Sequence, residues 1–104
     1  MNKANQLYWQ AKGYQKRLQE LAVEFYNECI EDFEKNYAEE GSFSAILYSD
    51  DIPDVFRYNF KEFIIPLFKA EGFKVIEYSA SRYGYTNDGW EISWDLKEGE
   101  IQDE

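Results

Sequence analysis

The sequence contains no histidine, a single cysteine and two prolines, and its six glycines are scattered. Without histidine, the commonest general base near neutral pH is missing, and so are His-based metal sites and Ser–His or Cys–His catalysis. Scattered glycines form no Gly-rich phosphate-binding loop. We therefore predict that the chain is not an enzyme and uses no cofactor and no metal.

The single cysteine, Cys29, leaves an intramolecular disulfide impossible. This fits a reducing compartment, and we predict a cytoplasmic protein of the host cell. Cys29 lies among apolar positions with helical spacing, so it is interpreted as a small core residue and not as a reactive thiol. The apolar runs are too short for a membrane span.

Length and aromatic content indicate one folded domain. The chain has 104 residues, of which 19% are aromatic, and disordered chains contain few aromatic residues. We predict a single domain over residues 1–104, with a frayed acidic tail at 97–104.

Helical periodicity dominates residues 4–40. Apolar residues recur every three or four positions, at Leu7, Ala11, Tyr14, Leu18, Leu21, Phe25, Cys29, Phe33 and Tyr37. From Leu7 to Phe25 the spacing resembles a heptad seam. One helix of this length is longer than a compact domain is wide. We expect it either to bend near Gly13 or to project its first half towards a partner.

The remaining elements complete an α+β domain. Residues 43–48 are a predicted strand, and residues 49–54 are a predicted helix entry. A second helix follows, which Pro66 kinks or splits and Gly72 ends, with Phe73 folding back on Phe68 in a Schellman-type cap. Strands at 73–83 and 90–96 flank a turn predicted at Gly84–Gly89, and apolar and polar residues alternate over 90–96, so one face of that strand should be buried. The order α-β-α-β-β predicts a long N-terminal helix and a second helix packed on a small, mainly antiparallel sheet.

The cluster Asp50, Asp51 and Asp54 has two interpretations. Spaced carboxylates can bind magnesium or calcium, and they could then serve a carboxylate enzyme. At a strand-to-helix junction the same residues cap free N–H groups, and capping is the favoured interpretation.

The charge of the chain is strongly segregated. The net charge is −10, which disfavours direct contact with nucleic acid or anionic lipid and attracts basic surfaces. Residues 1–24 carry a net +2, whereas residues 25–54 carry nine acids and one lysine. The acids occupy the C-terminal half of the first helix, where the helix dipole favours cations. A local rule broken without visible compensation indicates a function, here imitation of nucleic-acid phosphates; the alternative is a solvated acidic face that aids solubility.

We therefore predict a partner-binding surface of acids and tyrosines. Its members are Glu24, Glu28, Glu31, Asp32, Glu39, Glu40, Asp50, Asp51, Tyr26 and Tyr37. The acids would meet basic residues of the partner, and the two tyrosines would be anchors.

The C-terminal third resembles a known type of hairpin. The run Gly72-Phe73-Lys74-Val75, a strand rich in serine and tyrosine, and the run Gly89-Trp90-Glu91-Ile92-Ser93-Trp94 resemble the C-terminal hairpin of small phage and prophage proteins of Gram-positive bacteria. Some short acidic proteins of mobile elements are anti-CRISPR or anti-restriction inhibitors, and several of those are DNA mimics. The resemblance covers about a quarter of the chain and assigns no functional residues.

These observations lead to two functional hypotheses. The first is a non-catalytic inhibitor that binds a basic groove of a nucleic-acid-processing enzyme, such as a CRISPR effector or a restriction-type enzyme, as a DNA mimic. The alternative is a structural or assembly module of a phage or mobile element. It would self-associate as a homodimer through the first helix, along the Leu7 to Phe25 seam.

Overall fold

The structure is a computed structural model that describes residues 2–82 and 84–101. It contains three α-helices, three strands and several single 3₁₀ turns. The helices are α1 (Lys3–Asn36), α2 (Phe60–Phe63) and α3 (Ile65–Ala70), and the strands are β1 (Ser44–Tyr48), β2 (Lys74–Arg82) and β3 (Tyr85–Ser93). The predicted α+β class, with a long N-terminal helix and a small antiparallel sheet, is confirmed.

Helix α1 is continuous through Gly13. The side chain of Asn2 accepts a hydrogen bond from the Asn5 backbone N–H at 2.9 Å and so caps the start of the helix. A 3₁₀ turn at Ala38–Glu40 extends the far end, and Gly41 closes it at φ 85°, where a side chain would be strained. Of the two expectations for this helix, the projecting one describes the structure.

The second helical region is split at the predicted place. Pro66 lies in the first turn of α3, and it has no N–H to continue the hydrogen-bond ladder of α2. The Phe73 N–H bonds to the Phe68 carbonyl at 3.1 Å, and their rings meet edge to face. Together with the bond from Gly72 to Lys69, this forms the predicted Schellman-type end.

The helix entry predicted at residues 49–54 is wrong. Two 3₁₀ turns, Ser49–Asp51 and Asp54–Phe56, occupy this stretch, and neither has a side-chain cap. Asp54 instead accepts a hydrogen bond from the guanidinium of Arg57 at 3.0 Å. Pro53 disfavours a helical backbone at Ile52, which is extended at φ −91° and ψ 127°, and the next α-helix begins at Phe60.

The sheet has the strand order β1-β3-β2, with both pairs antiparallel. The turn predicted at Gly84–Gly89 is wrong, because β3 already begins at Tyr85 and Arg82 pairs with Tyr85. Gly89 sits inside β3, between Tyr48 of β1 and Tyr78 of β2. A Cβ at Gly89 would lie 2.1 Å from the Leu47 carbonyl oxygen. This glycine therefore permits a close backbone approach and does not form a turn.

The helices cover one face of the sheet. Apolar side chains at every fourth position of the second helical region, Phe56, Phe60, Ile64 and Phe68, are buried. Ile92 of β3 is buried against them, and the predicted alternation of residues 90–96 places Trp90 and Trp94 on the same inner face. The core therefore lies between the sheet, the short helices and the C-terminal half of α1.

The predicted tail at 97–104 falls partly within the described residues. A 3₁₀ turn covers Glu98–Glu100, and the Glu100 carboxylate lies 3.1 Å from the ammonium of Lys74. The same carboxylate accepts a hydrogen bond from the Lys97 backbone N–H. This bond lowers the pKa of Glu100. Residues 102–104 lie outside the described residues.

Candidate protein-binding surface on helix α1

The two halves of α1 have different surroundings. In residues 18–36 the predicted stripe is buried at Leu18, Cys29 and Phe33 and half-buried at Phe25. In residues 3–17, which we call the arm, every side chain is exposed. The seam predicted from Leu7 to Phe25 is therefore divided. Its second half packs against the core, and its first half, in the arm, is exposed.

The arm exposes large apolar side chains. The exposed fractions are 62% for Leu7, 64% for Trp9 and 59% for Tyr14. The Tyr8 and Trp9 rings contact each other edge to face at 5.1 Å, and the Lys12 ammonium lies 5.8 Å from the centre of the Tyr8 ring. Exposed apolar patches often mark interaction surfaces in proteins, so the arm is a candidate binding surface.

The arm is also the basic part of the chain. Its charged side chains are Lys3, Lys12, Lys16 and Arg17, and it contains no acid. Because the arm projects, these cations lie apart from the acids of the body. The separation of charge seen along the sequence is therefore also a separation in space.

Three of the predicted site residues share the solvent face of α1. Glu24, Glu28 and Glu31 are exposed, on a face of the helix that flanks the half-buried Leu21 and Phe25. Within residues 2–82 and 84–101, no cation forms an ion pair with any of the three. The three carboxylates therefore remain available to an outside cation, with Lys35 one helical turn beyond Glu31 as the nearest basic residue after them on α1.

A shallow groove runs beside this acidic face. It has a volume of about 170 Å³ and lies between α1 and the turn at residues 53–56. Leu21, Phe25 and Val55 provide apolar lining, and Glu24 and Glu28 line it as well. An apolar floor with a carboxylate rim suits a basic, amphipathic segment of a partner.

The other predicted acids are spread over the molecule. Asp32 accepts a hydrogen bond from the Asn36 amide at 2.6 Å, and Glu39 and Glu40 lie in the turn after α1. Asp50 instead lines a small depression at the end of the sheet, together with Tyr48 and Asp88, and Asp51 follows it in the same 3₁₀ turn. The structure thus groups the acids of α1 and places Asp50 and Asp51 beside the hairpin.

The two predicted anchor tyrosines pack against the core. Tyr26 meets the Phe68 ring edge to face at 5.0 Å, and Tyr37 meets Phe33 at 6.2 Å. Burial, together with the nearby carboxylate of Glu71, raises the pKa of Tyr26. Both rings are half-buried, whereas the freely exposed aromatic residues of α1 are those of the arm.

Sequence reasoning placed Leu7 and Tyr14 only in the self-association seam and not in the acidic binding surface, and it did not single out Trp9. The signal was present in the length of the helical pattern, which exceeds the width of a domain of this size. Periodicity shows which side of a helix is apolar, but it does not show where along the helix the neighbouring elements stop.

Comparison with protein-family models, with curated proteins and with solved structures gave no match. Within residues 2–82 and 84–101, no group of three His, Cys, Asp or Glu side chains is arranged to hold a metal ion. None of the helices in the described part of the chain combines the length and the apolar character that a membrane crossing requires.

Proposed function

We propose that this protein acts by binding a basic surface of another protein with the acidic face of α1. The observation that carries the proposal is the exposed trio Glu24, Glu28 and Glu31, which forms no ion pair within the described part of the chain. The adjoining groove, floored by Leu21 and Phe25, supplies apolar area for the same contact. Charge complementarity steers association and selects the partner, and apolar area adds affinity.

A nucleic-acid-processing enzyme is the partner class that we propose. Its substrate groove is lined with basic residues for phosphates, and carboxylates repeated along a rigid helix present negative charge at regular intervals. A protein seated in such a groove inhibits by excluding the nucleic acid. CRISPR effectors and restriction-type enzymes of a bacterial host are the targets with which we would begin.

The experiment compares two triple charge reversals. The first changes Glu24, Glu28 and Glu31 to lysine. The control changes three exposed acids elsewhere, Glu62, Asp95 and Glu98, so that both variants gain the same charge. Each immobilised protein is exposed to a bacterial lysate, and short duplex DNA is then used to elute the bound proteins.

Under the proposal, duplex DNA releases nucleic-acid-binding proteins from the wild type and from the control but not from the α1 variant. The wild type and the control should then inhibit the purified targets, and the α1 variant should not. Equal recovery on both variants would mean that net charge, and not the α1 face, determines binding. Circular dichroism of all three proteins checks that the fold is unchanged.

A second function, self-association as an assembly module, is favoured by the arm. Its exposed Leu7 and Tyr14 continue the stripe that the body buries. The Leu18→Glu substitution that the seam alone would suggest as a test is unsuitable, because Leu18 is only 4% exposed and belongs to the core. Substitutions that test this function must lie within the arm.

A further inference from the structure

One side of α1 carries a stripe whose charge changes sign along the helix. Positions 3, 7, 10, 14, 17, 21, 24 and 28 alternate steps of four and three, so they share one side of the helix. The residues of this side stripe are Lys3, Leu7, Gln10, Tyr14, Arg17, Leu21, Glu24 and Glu28. It is basic in the arm and acidic in the body, and its acidic end borders the groove beside α1.

We propose that two copies of this chain pair their α1 helices in antiparallel fashion along the side stripe. The inference rests on the second proposed function and names its surface and register. When the stripe is laid against itself in reverse, Lys3 faces Glu28 and Tyr14 faces Arg17. Leu7 of each copy then lies over the acid-rimmed groove of the other.

Charge and shape together favour a second copy as the occupant. A two-fold axis requires one surface to be complementary to itself, and a stripe with opposite charges at its two ends meets this requirement when it is reversed. The arm has four basic and no acidic side chains, and the groove has the carboxylates of Glu24 and Glu28 at its rim. The groove lining of Leu21, Phe25 and Val55 offers an apolar contact for Leu7.

The parallel arrangement is disfavoured by the same residues. In a parallel pair each residue faces its own copy, so Lys3 meets Lys3 and Glu24 meets Glu24. Like charges at such positions destabilise a helix pair. A parallel pair would also leave both grooves without a basic segment. The direction of the pairing thus follows from the distribution of charge.

Both ends of the proposed contact have the required exposure. Leu7 and Tyr14 are more than half exposed, while Leu21 and Phe25 are half-buried and border the groove. The Tyr14 ring would lie against the guanidinium of Arg17 from the other copy, a pairing with cation–π character. Pairing would therefore cover the exposed apolar residues of the arm without opening the core.

Sedimentation velocity of the full chain, from micromolar to millimolar concentration, tests the pairing. We expect a dimer that dissociates as salt is added, because opposite charges are screened. The double variant Leu7→Glu/Tyr14→Glu should be monomeric, and its thermal unfolding should match that of the wild type because both positions are exposed. A wild type that remains monomeric overturns the inference.

A charge exchange tests the register. Lys3→Glu alone and Glu28→Lys alone should each weaken the dimer, by roughly threefold to thirtyfold in Kd for the two symmetric pairs. The combined variant, Lys3→Glu/Glu28→Lys, should restore the wild-type Kd. Lys12→Glu is the matched control, because it makes the same charge change in the arm but lies off the side stripe.

Two results would contradict the proposed geometry. One is a dimer that the arm variants leave intact, which would point instead to the exposed outer face of the sheet around Ile76. The other is a combined variant weaker than either single one. Pairing covers Glu24 and Glu28, so a dimer competes with the basic partner of the first proposed function. Loss of the dimer in the arm variant, with capture of a basic partner retained or increased, would leave that first function standing.

Discussion

The two halves of α1 share one apolar spacing and have different surroundings. Leu7 and Leu18 are both leucines of α1, yet Leu7 is 62% exposed and Leu18 only 4%. In the body, each stripe residue is surrounded by the sheet and the short helices; Phe33, for example, stacks on both Phe68 and Trp94. In the arm, the stripe meets only solvent and its own neighbours. Burial therefore depends on where the other elements end and not on the local pattern.

This difference determines what each half contributes. Packing of an amphipathic face provides most of the stability of a helix in a protein, and propensity alone is marginal in water. The body half should therefore carry the free energy of unfolding, and the arm should be held mainly by its own backbone hydrogen bonds. A surface that costs little stability when it changes is well placed for binding.

The largest expected effect comes from making one substitution in both halves. Leu18→Ala should lower the free energy of unfolding by about 2–5 kcal/mol, because it removes buried atoms and leaves a cavity. Leu7→Ala should change it by less than about 0.5 kcal/mol. Urea unfolding, at concentrations where the protein is monomeric, measures both. Equal losses would mean that the arm is packed in solution.

The second effect uses the glycine inside the sheet. Gly89→Ala should destabilise the domain by about 1–3 kcal/mol or more, since its Cβ would press on the backbone of Leu47 and the strands would have to separate. Thermal unfolding measures the loss, and Gly99→Ala is the control, because nothing lies within 4 Å of a Cβ there. A stable Gly89→Ala protein would argue against the β1–β3 register.

The third effect concerns Cys29, which is buried in the body half of α1. Burial first, and then the carboxylates of Asp32 and Glu28, raise its pKa to about 12. The pKa of Cys29 is higher in the folded protein than its value of 9.0 in the unfolded chain. Keeping the thiol neutral therefore contributes stability that is complete below pH 9 and is lost as the pH rises towards 12.

Alkaline unfolding of the wild type and of Cys29→Ala measures this contribution. Above pH 9 the wild type should lose up to about 1.4 kcal/mol per pH unit more than the variant does. The thiol should also resist alkylation at neutral pH until urea is added, because the thiolate is the reactive form. Rapid alkylation of the native protein would contradict the buried position.

The smallest effect should be confined to the arm. Gly13→Ala adds a methyl group with nothing within 4 Å and raises helix propensity by about 0.5–1 kcal/mol. Hydrogen exchange of the arm amides should slow by about twofold to fivefold, and exchange in residues 18–36 should not change. An equal change in both halves would show that α1 opens as one unit, so that the arm is not separate.

Several elements could be predicted from the sequence because their signals are local. The split at Pro66, the end at Gly72 and the aromatic alternation around Ile92 each depend on residues within one or two turns. The turn at Gly89 was predicted wrongly because Asn87-Asp88-Gly89 has strong turn propensity. What places this tripeptide in a strand is its pairing with residues 78–80 of β2, and β1 joins only at Gly89, which faces Tyr48.

Sequence spacing predicted part of the candidate site and missed the rest. Spacing alone placed Glu24, Glu28 and Glu31 on one helix face, which the structure shows. Spacing did not reveal that Asp50 belongs with the hairpin, or that Tyr26 is committed to Phe68. Those relationships join residues from distant parts of the chain.

The sequence by itself determined the long first helix and which side of each regular element is apolar, because backbone geometry repeats every 3.6 residues in a helix and every two in a strand. It also determined the charge of each segment. The tertiary structure decided which part of an apolar stripe is buried and which glycine is a turn, since burial requires a second surface. In this protein the second surface ends at Leu18, and residues 3–17 of α1 remain exposed.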